Sequence, residues 1–233
     1  NSIDDAGMPL NASVHFGSNY DNAFWNGQQM VFGDGDGKLF NRFTVALDVI
    51  GHELTHGVTE HVARLAYSGQ SGALNESISD VFGSLIKQYS NKQQAAQADW
   101  LIGAGLLAPG VKGVALRSMK APGTAYDDPV LGKDPQPANM SGYLHTQSDN
   151  GGVHTNSGIP NHAFFLAAVA IGGNAWEKAG LIWYDTLADP HLKPTASFSS
   201  FAKLTGSNAD KLYGVGSAES KAVRDAWHQV GVK

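Results

Sequence analysis

Asp48-Val-Ile-Gly-His-Glu-Leu-Thr-His56 decides how the rest of this chain is read. Within it, His52-Glu53-Leu54-Thr55-His56 has the His-Glu-x-x-His spacing. On a helix, side chains four apart stand one above the other on the same face. His52 and His56 can then offer imidazole nitrogens to one metal ion, with Glu53 beside it. Zinc suits neutral imidazole, and a catalytic zinc site keeps one position open to water. The glutamate of this motif is the general base. Random placement of 9 His and 5 Glu in 233 residues would produce the pattern roughly 0.007 times. The competing reading is a solvated amphipathic helix with two surface histidines. The run Val45-Ala-Leu-Asp-Val-Ile-Gly51 is too apolar for that and suits a helix lying under a cleft.

The whole composition narrows the class. A chain of 233 residues fits one large or two modest domains with ample core. Charged residues make up only 16%, which excludes a coiled coil or a disordered acidic tail. The net charge of −5 argues against nucleic-acid or anionic-membrane partners. No apolar run reaches the ~20 residues that span a bilayer. With no cysteine, neither disulfides nor thiolate zinc ligands are available. The opening Asn1-Ser-Ile-Asp-Asp-Ala-Gly7 lacks the basic-then-apolar pattern of a secretion signal.

Along the chain, 12–16 and 22–32 read as strands, the second broken by Gly27. Gly33-Asp-Gly-Asp-Gly37 reads as a tight turn, because Lys38 and Leu39 fall where a calcium loop needs a ligand and a glycine. A helix is expected from near Val45 to near Val62. The glycines from 69 to 72 break the chain, and a second helix is expected over about 73–90. Residues 122–161 read as a long irregular loop region, a feature usually functional in a compact domain. Helical patterns follow at about 157–171, 174–188, 197–205 and 217–230. The expected class is α+β: residues 1–44 a β-rich part, residues 45–233 a mainly helical catalytic body.

A catalytic zinc needs a third protein ligand. Gly72-Ala-Leu-Asn-Glu-Ser-Ile-Ser-Asp80 carries Glu76 and Asp80 four apart on the second expected helix. Glu76 can ligate from there, and Asp80 can accept the N–H of a ligand histidine and hold its tautomer. Two ordinary solvated acids are the plainer alternative. Only five glutamates exist in the chain, however, and two fall in this constellation.

His-Glu-x-x-His followed by Asn75-Glu76-x-x-x-Asp80, with Glu76 twenty-four residues after His52, resembles the thermolysin-like zinc metallopeptidases. Asn22-Ala-Phe-Trp-Asn-Gly27, Gly33–Gly37, Ala115-Leu-Arg-Ser-Met119 and Asp149-Asn-Gly-Gly-Val-His-Thr-Asn-Ser-Gly158 resemble family segments in family order. Thr59 and Val62 stand where metzincins need glycine and a third histidine. The resemblance implies one catalytic zinc on His52, His56 and Glu76, with Asn75 and Asp80 supporting them. It implies Glu53 as the base that activates zinc-bound water, and His154 and Tyr67 as hydrogen-bond donors to the oxyanion. Asp149 would orient His154. Asn22 and Ala23 would hold the substrate main chain, and Arg117 a substrate carbonyl. Phe40, Phe43, Val49, Ile102 and Leu116 would line a pocket for a bulky apolar residue after the cut; as bare sequence these five read as core. His15, His61, His145, His162, His191 and His228 read as structural or surface.

Two departures from the family follow. Asp48 and Asp99 match a paired calcium site, but Lys87, Leu101 and Ala104 replace its acids. That Ca2+ site is expected to be lost, with Lys87 supplying the positive charge for Asp48, a pattern closest to the protealysin-like subgroup. Family chains also carry a further β-rich stretch before the segment like Asn1-Ser2-Ile3, so most of that sheet is expected to be missing. The resulting expectation is a zinc endopeptidase acting as a monomer on peptide or protein substrates. It would be made as a secreted zymogen held by its own propeptide or a protein inhibitor. A cytoplasmic setting is the alternative location. The rival function is a truncated, inert zinc-binding interaction module.

Overall fold

The computed structural model describes residues 2–233. The chain opens with β1 (Asn11–Ser13), β2 (Ala23–Trp25) and β3 (Gln29–Phe32). β3 lies centrally, parallel to β1 and antiparallel to β2, with Ala23 opposite Phe32. The expected strand over 22–32 is therefore a hairpin. Gly27, at φ 91°, turns the chain between its arms, a conformation that glycine adopts without steric cost. The first expected strand is shorter than 12–16, because His15 at φ 59° leaves the extended region.

Two long helices follow, α1 (Leu47–Val62) and α2 (Gly69–Asn91). α2 begins at Gly69, so the glycines expected to break the chain form its first turn. Gly72 is required there by packing: a Cβ on it would come within 2.5 Å of Val153 and 2.9 Å of the Tyr67 backbone. The two helices meet backbone to backbone at a second pair of glycines. A Cβ on Gly83 would lie 2.3 Å from the Asp48 carbonyl oxygen, and one on Gly51 would lie 3.0 Å from the Gly83 Cα. Real Cβ atoms do not approach so closely, so only glycine allows this contact. One and two turns before Gly83 on α2 stand Asp80 and Glu76, and next to Gly51 on α1 stands His52. The glycine contact therefore brings the two halves of the site together.

Short ladders β4 (Leu101–Ile102) with β5 (Arg117–Ser118), and β6 (Asp127–Asp128) with β7 (Gly132–Lys133), lead to the helical body. That body is α3 (Asp149–Asn156), α4 (Gly158–Ile171), α5 (Ala179–Leu187), α6 (Phe198–Tyr213) and α7 (Ala218–Gln229). α3 falls where the sequence read as irregular loop. Asn150, Gly151 and Gly152 at its start have φ of 49°, 90° and 76°, which removes any helical periodicity there. α5 begins later than 174, after a turn, and α6 runs eight residues past 205.

The main core packs α2, α4, α5, α6 and α7 around Trp183, Trp227, Phe164 and Phe201. A smaller cluster of Ala23, Met30, Phe32, Phe43, Val49 and Leu106 joins the sheet to the start of α1. Burial of such side chains contributes about 1.5–3 kcal/mol each. Among the described residues no helix is long and apolar enough to cross a membrane.

Candidate active site

His52, Glu53 and His56 project from the buried face of α1, and Asn75, Glu76 and Asp80 from α2 opposite. The Nε2 atoms of His52 and His56 are 3.1 Å apart. Glu76 carboxylate oxygens lie 3.4 Å from His52 Nε2 and 3.5 Å from His56 Nε2. Four tetrahedral zinc ligands at the usual bond lengths lie about 3.3 Å from one another, so the three donors already have the right spacing.

The ring tautomers agree with this. His52 Nδ1 donates to Asp80 Oδ1 at 2.8 Å. His56 Nδ1 donates to Asn75 Oδ1 at 2.8 Å, while the Asn75 amide N–H donates to the Leu65 carbonyl. Both Nδ1 atoms being donors, both Nε2 atoms converge on one point with a carboxylate. A positive charge must lie at that point, either a proton on Nε2 or a metal ion held by all three groups. His52, His56 and Glu76 form the one group of this kind among the described residues.

The surrounding field favours a cation. Burial opposes charge on His52, but the Asp80 and Glu76 carboxylates outweigh it and carry the imidazole up to about 10. Glu76 is 1% exposed. Burial acts to raise its carboxyl, yet His56, His52 and His154 hold it well below the carboxylate range. Asp80, fully buried, accepts from His52 and also from Arg117 Nε at 2.8 Å, Arg117 Nη2 at 2.6 Å and Asn161 Nδ2 at 2.8 Å. Against the effect of burial, the Arg117 guanidinium and these bonds hold its carboxyl below the usual range. Glu53 differs. Burial pushes it up to about 7 against the pull of His52, where a carboxyl can both take and return a proton near neutrality.

On the far side of the donors, Tyr67 Oη donates to Glu76 Oε1 and lies 3.2 Å from His154 Nε2. Asp149 grips His154 twice, accepting from Nδ1 at 2.7 Å and from the backbone N–H at 2.9 Å. The left-handed residues at the start of α3 are what turn Asp149 back onto His154.

Two family models match the sequence. Thermolysin metallopeptidase, catalytic domain, matches residues 1–60, and thermolysin metallopeptidase, alpha-helical domain, matches residues 63–232. The chain belongs to the thermolysin metallopeptidase family. An extracellular metalloprotease of Pectobacterium carotovorum subsp. carotovorum is 62% identical over 233 residues, covering 100% of this chain and 67% of that protein. Protease PrtS of Photorhabdus sp. (strain Az29) is 58% identical over 235 residues, covering 100% of this chain and 63% of that protein. The solved precursor of protealysin, a metalloproteinase from Serratia proteamaculans, superposes with a TM-score of 0.97 at 64% identity, over 100% of this chain and 72% of that one. The chain thus spans about two thirds of these relatives. Thermolysin-family enzymes use a catalytic zinc, and the spacing of His52, His56 and Glu76 fits it.

The other expected residues of this metallopeptidase divide. A cleft of about 830 Å³ runs over α1, with Asn22, Ala23, Phe43, Val49, Leu116, Arg117 and His154 on its walls. Phe40 lies instead beside a side pocket of about 150 Å³, which shares Leu116, Arg117 and His154 with the cleft. Ile102 is not on the cleft wall. It sits fully buried within the main core. Lys87 Nζ lies 2.7 Å from Asp48 and 2.9 Å from Asp99, so the positive charge at Asp48 is an ammonium, as expected. Of the histidines read as surface, His15 and His191 do carry acid partners, Asp34 and Asp189, in exposed pairs. Sequence reasoning missed Asn161, which holds Asp80 from 81 residues away. It also missed Gln136, whose Nε2 donates to the His154 carbonyl at 2.8 Å. Nothing in local spacing signals contacts at such separations.

Proposed function

We propose that this chain is the catalytic part of a secreted endopeptidase that cuts peptide bonds on the amino side of bulky apolar residues. The observation that carries the reading is the convergence of three zinc donors beside a buried carboxyl, Glu53, whose proton affinity suits neutral pH. Zinc held by His52, His56 and Glu76 would supply Lewis acidity, making water more acidic and a carbonyl more electrophilic. Glu53 takes the proton from the attacking water and returns it to the leaving nitrogen. Tyr67 Oη and His154 Nε2 donate to the oxygen on which negative charge develops. Nδ1 of His154 donates to Asp149, so Nε2 donates when the ring carries both protons. The β2 edge at Asn22 and Ala23 accepts the substrate main chain by strand addition, and Arg117 binds a substrate carbonyl. Phe43, Val49 and Leu116 receive the apolar side chain after the cut.

The names of the relatives support secretion, and the protealysin precursor supports a propeptide as a further partner. The test is hydrolysis of an internally quenched peptide with leucine after the scissile bond, with and without a zinc chelator, beside Glu53→Ala. Cleavage abolished by chelator and by the substitution, with one zinc still bound to the variant, is the expected result. One zinc per chain with no cleavage would replace this reading with that of an inert zinc-binding interaction module.

A further inference from the structure

The floor of the cleft is laid down by α1 in helical order: Val49, then His52 and Glu53, His56, Glu60 and, just past its end, Arg64. Arg64 is unusual in its backbone. Its N–H donates to the Thr59 carbonyl at 2.8 Å and its φ is 55°, the left-handed helix-ending position that glycine ordinarily fills. An arginine there puts a long cationic side chain where the common residue puts none.

That side chain is exposed and lines the cleft. Among the described residues, the lysines and arginines held in ion pairs are Lys87, Arg117, Lys178 and Arg224. Arg64 is in none. Its polar neighbours in the cleft each make a hydrogen bond elsewhere. Glu60 accepts the Trp25 indole N–H at 2.8 Å, and His61 Nδ1 donates to the Gly57 carbonyl at 2.8 Å. Arg64 is therefore a cation at this end of the cleft held in no ion pair, with the Glu60 carboxylate one helical turn before it.

We propose that Arg64 is a specificity residue that binds a carboxylate side chain of the substrate two or three residues before the scissile bond. The direction rests on the proposed peptidase reading, in which the apolar wall at Val49 takes the residue after the cut. Arg64 lies eight residues beyond His56, about 12 Å along the helix direction at 1.5 Å per residue. An extended peptide advances about 3.3 Å per residue, so Arg64 stands three to four residues upstream of the metal donors. The reach of its side chain brings the fork one residue nearer. A guanidinium presents two parallel N–H donors to a carboxylate, which gives selectivity that an amide cannot match.

The experiment uses quenched peptides with leucine after the cut and Glu, Gln or Lys at the second or third position before it. The full chain is assayed beside Arg64→Gly and Arg64→Lys; glycine suits the left-handed backbone, so the fold is kept. The Glu peptide is expected to exceed the Gln peptide in kcat/KM by about three- to tenfold at low salt, the ratio shrinking as salt rises. Arg64→Gly should bring the two peptides level, and Arg64→Lys should keep part of the preference. Labelled versions of the same peptides, bound to Glu53→Gln and to Glu53→Gln/Arg64→Gly, read the preference without turnover. Equal handling of Glu and Gln, a preference that survives Arg64→Gly, or a preference for Lys would overturn the proposal. If no peptide is cleaved but the binding preference depends on Arg64, the peptidase reading fails and the Arg64 subsite stands.

Discussion

Asp80→Asn isolates the group on which the site's geometry depends. The carboxylate is fully buried and accepts four hydrogen bonds, from His52, twice from Arg117 and from Asn161. The amide keeps the shape but removes the charge, and it turns one acceptor into a donor facing other donors. The largely buried Arg117 guanidinium, at the cleft wall, loses its carboxylate partner, so the loss falls toward the lower end of the range for a broken buried pair, about 3 kcal/mol. The His52 ring also loses the acceptor that fixes its tautomer, which should weaken zinc binding about 10- to 100-fold. The folding term is read by urea denaturation in chelator, and the metal term by competition with a chromophoric chelator. The Asp80 carboxyl is held below its ordinary range, so its contribution is present in full above the unfolded pKa of about 3.9. It fades only as pH falls below that value. A measurement at pH 7.5 therefore samples all of it. Arg117→Leu added to Asp80→Asn removes the stranded charge and should recover at least about 2 kcal/mol. A loss under about 1 kcal/mol with unchanged zinc affinity would refute the argument that Asp80 joins folding to the metal site.

Two further predictions concern the charges around α1 and α2. Lys87→Met strands Asp48, which is 1% exposed, and should lower Tm by about 10 °C. Adding Asp48→Asn should recover most of it, and a shift of a degree or two would show that Lys87 is dispensable. Zinc needs a bare Nε2 on His52, whose field carries the ring up to about 10. Binding at pH 8 should therefore release about one proton, with affinity rising toward pH 10. Calorimetry in buffers of different ionisation enthalpy reads the number, and zero protons would contradict the assigned field.

Much of the site was legible because it is local. The four-residue spacing of His52 and His56 needs only a helix, and that of Glu76 and Asp80 only a second one. The helices themselves showed in apolar periodicity. What periodicity cannot carry was misread: the left-handed start of α3, and the glycines of α2 that looked like a break but form its first turn. Ile102 is core in the structure, as the bare sequence reads it; the family resemblance sets it on the pocket wall.

The sequence by itself determined the chemistry available: two imidazoles, three carboxylates and a cation at Lys87, all at spacings set by helix geometry. Only the tertiary structure decided which nitrogen of each ring is free. That choice rests on Asp80, Asn75 and the backbone contact of Gly51 with Gly83, which aligns two helices to within a few ångströms. Hydrogen-bond direction and close packing depend on positions in space that no local pattern encodes, and so Asn161 and Gln136 came to light only with the fold.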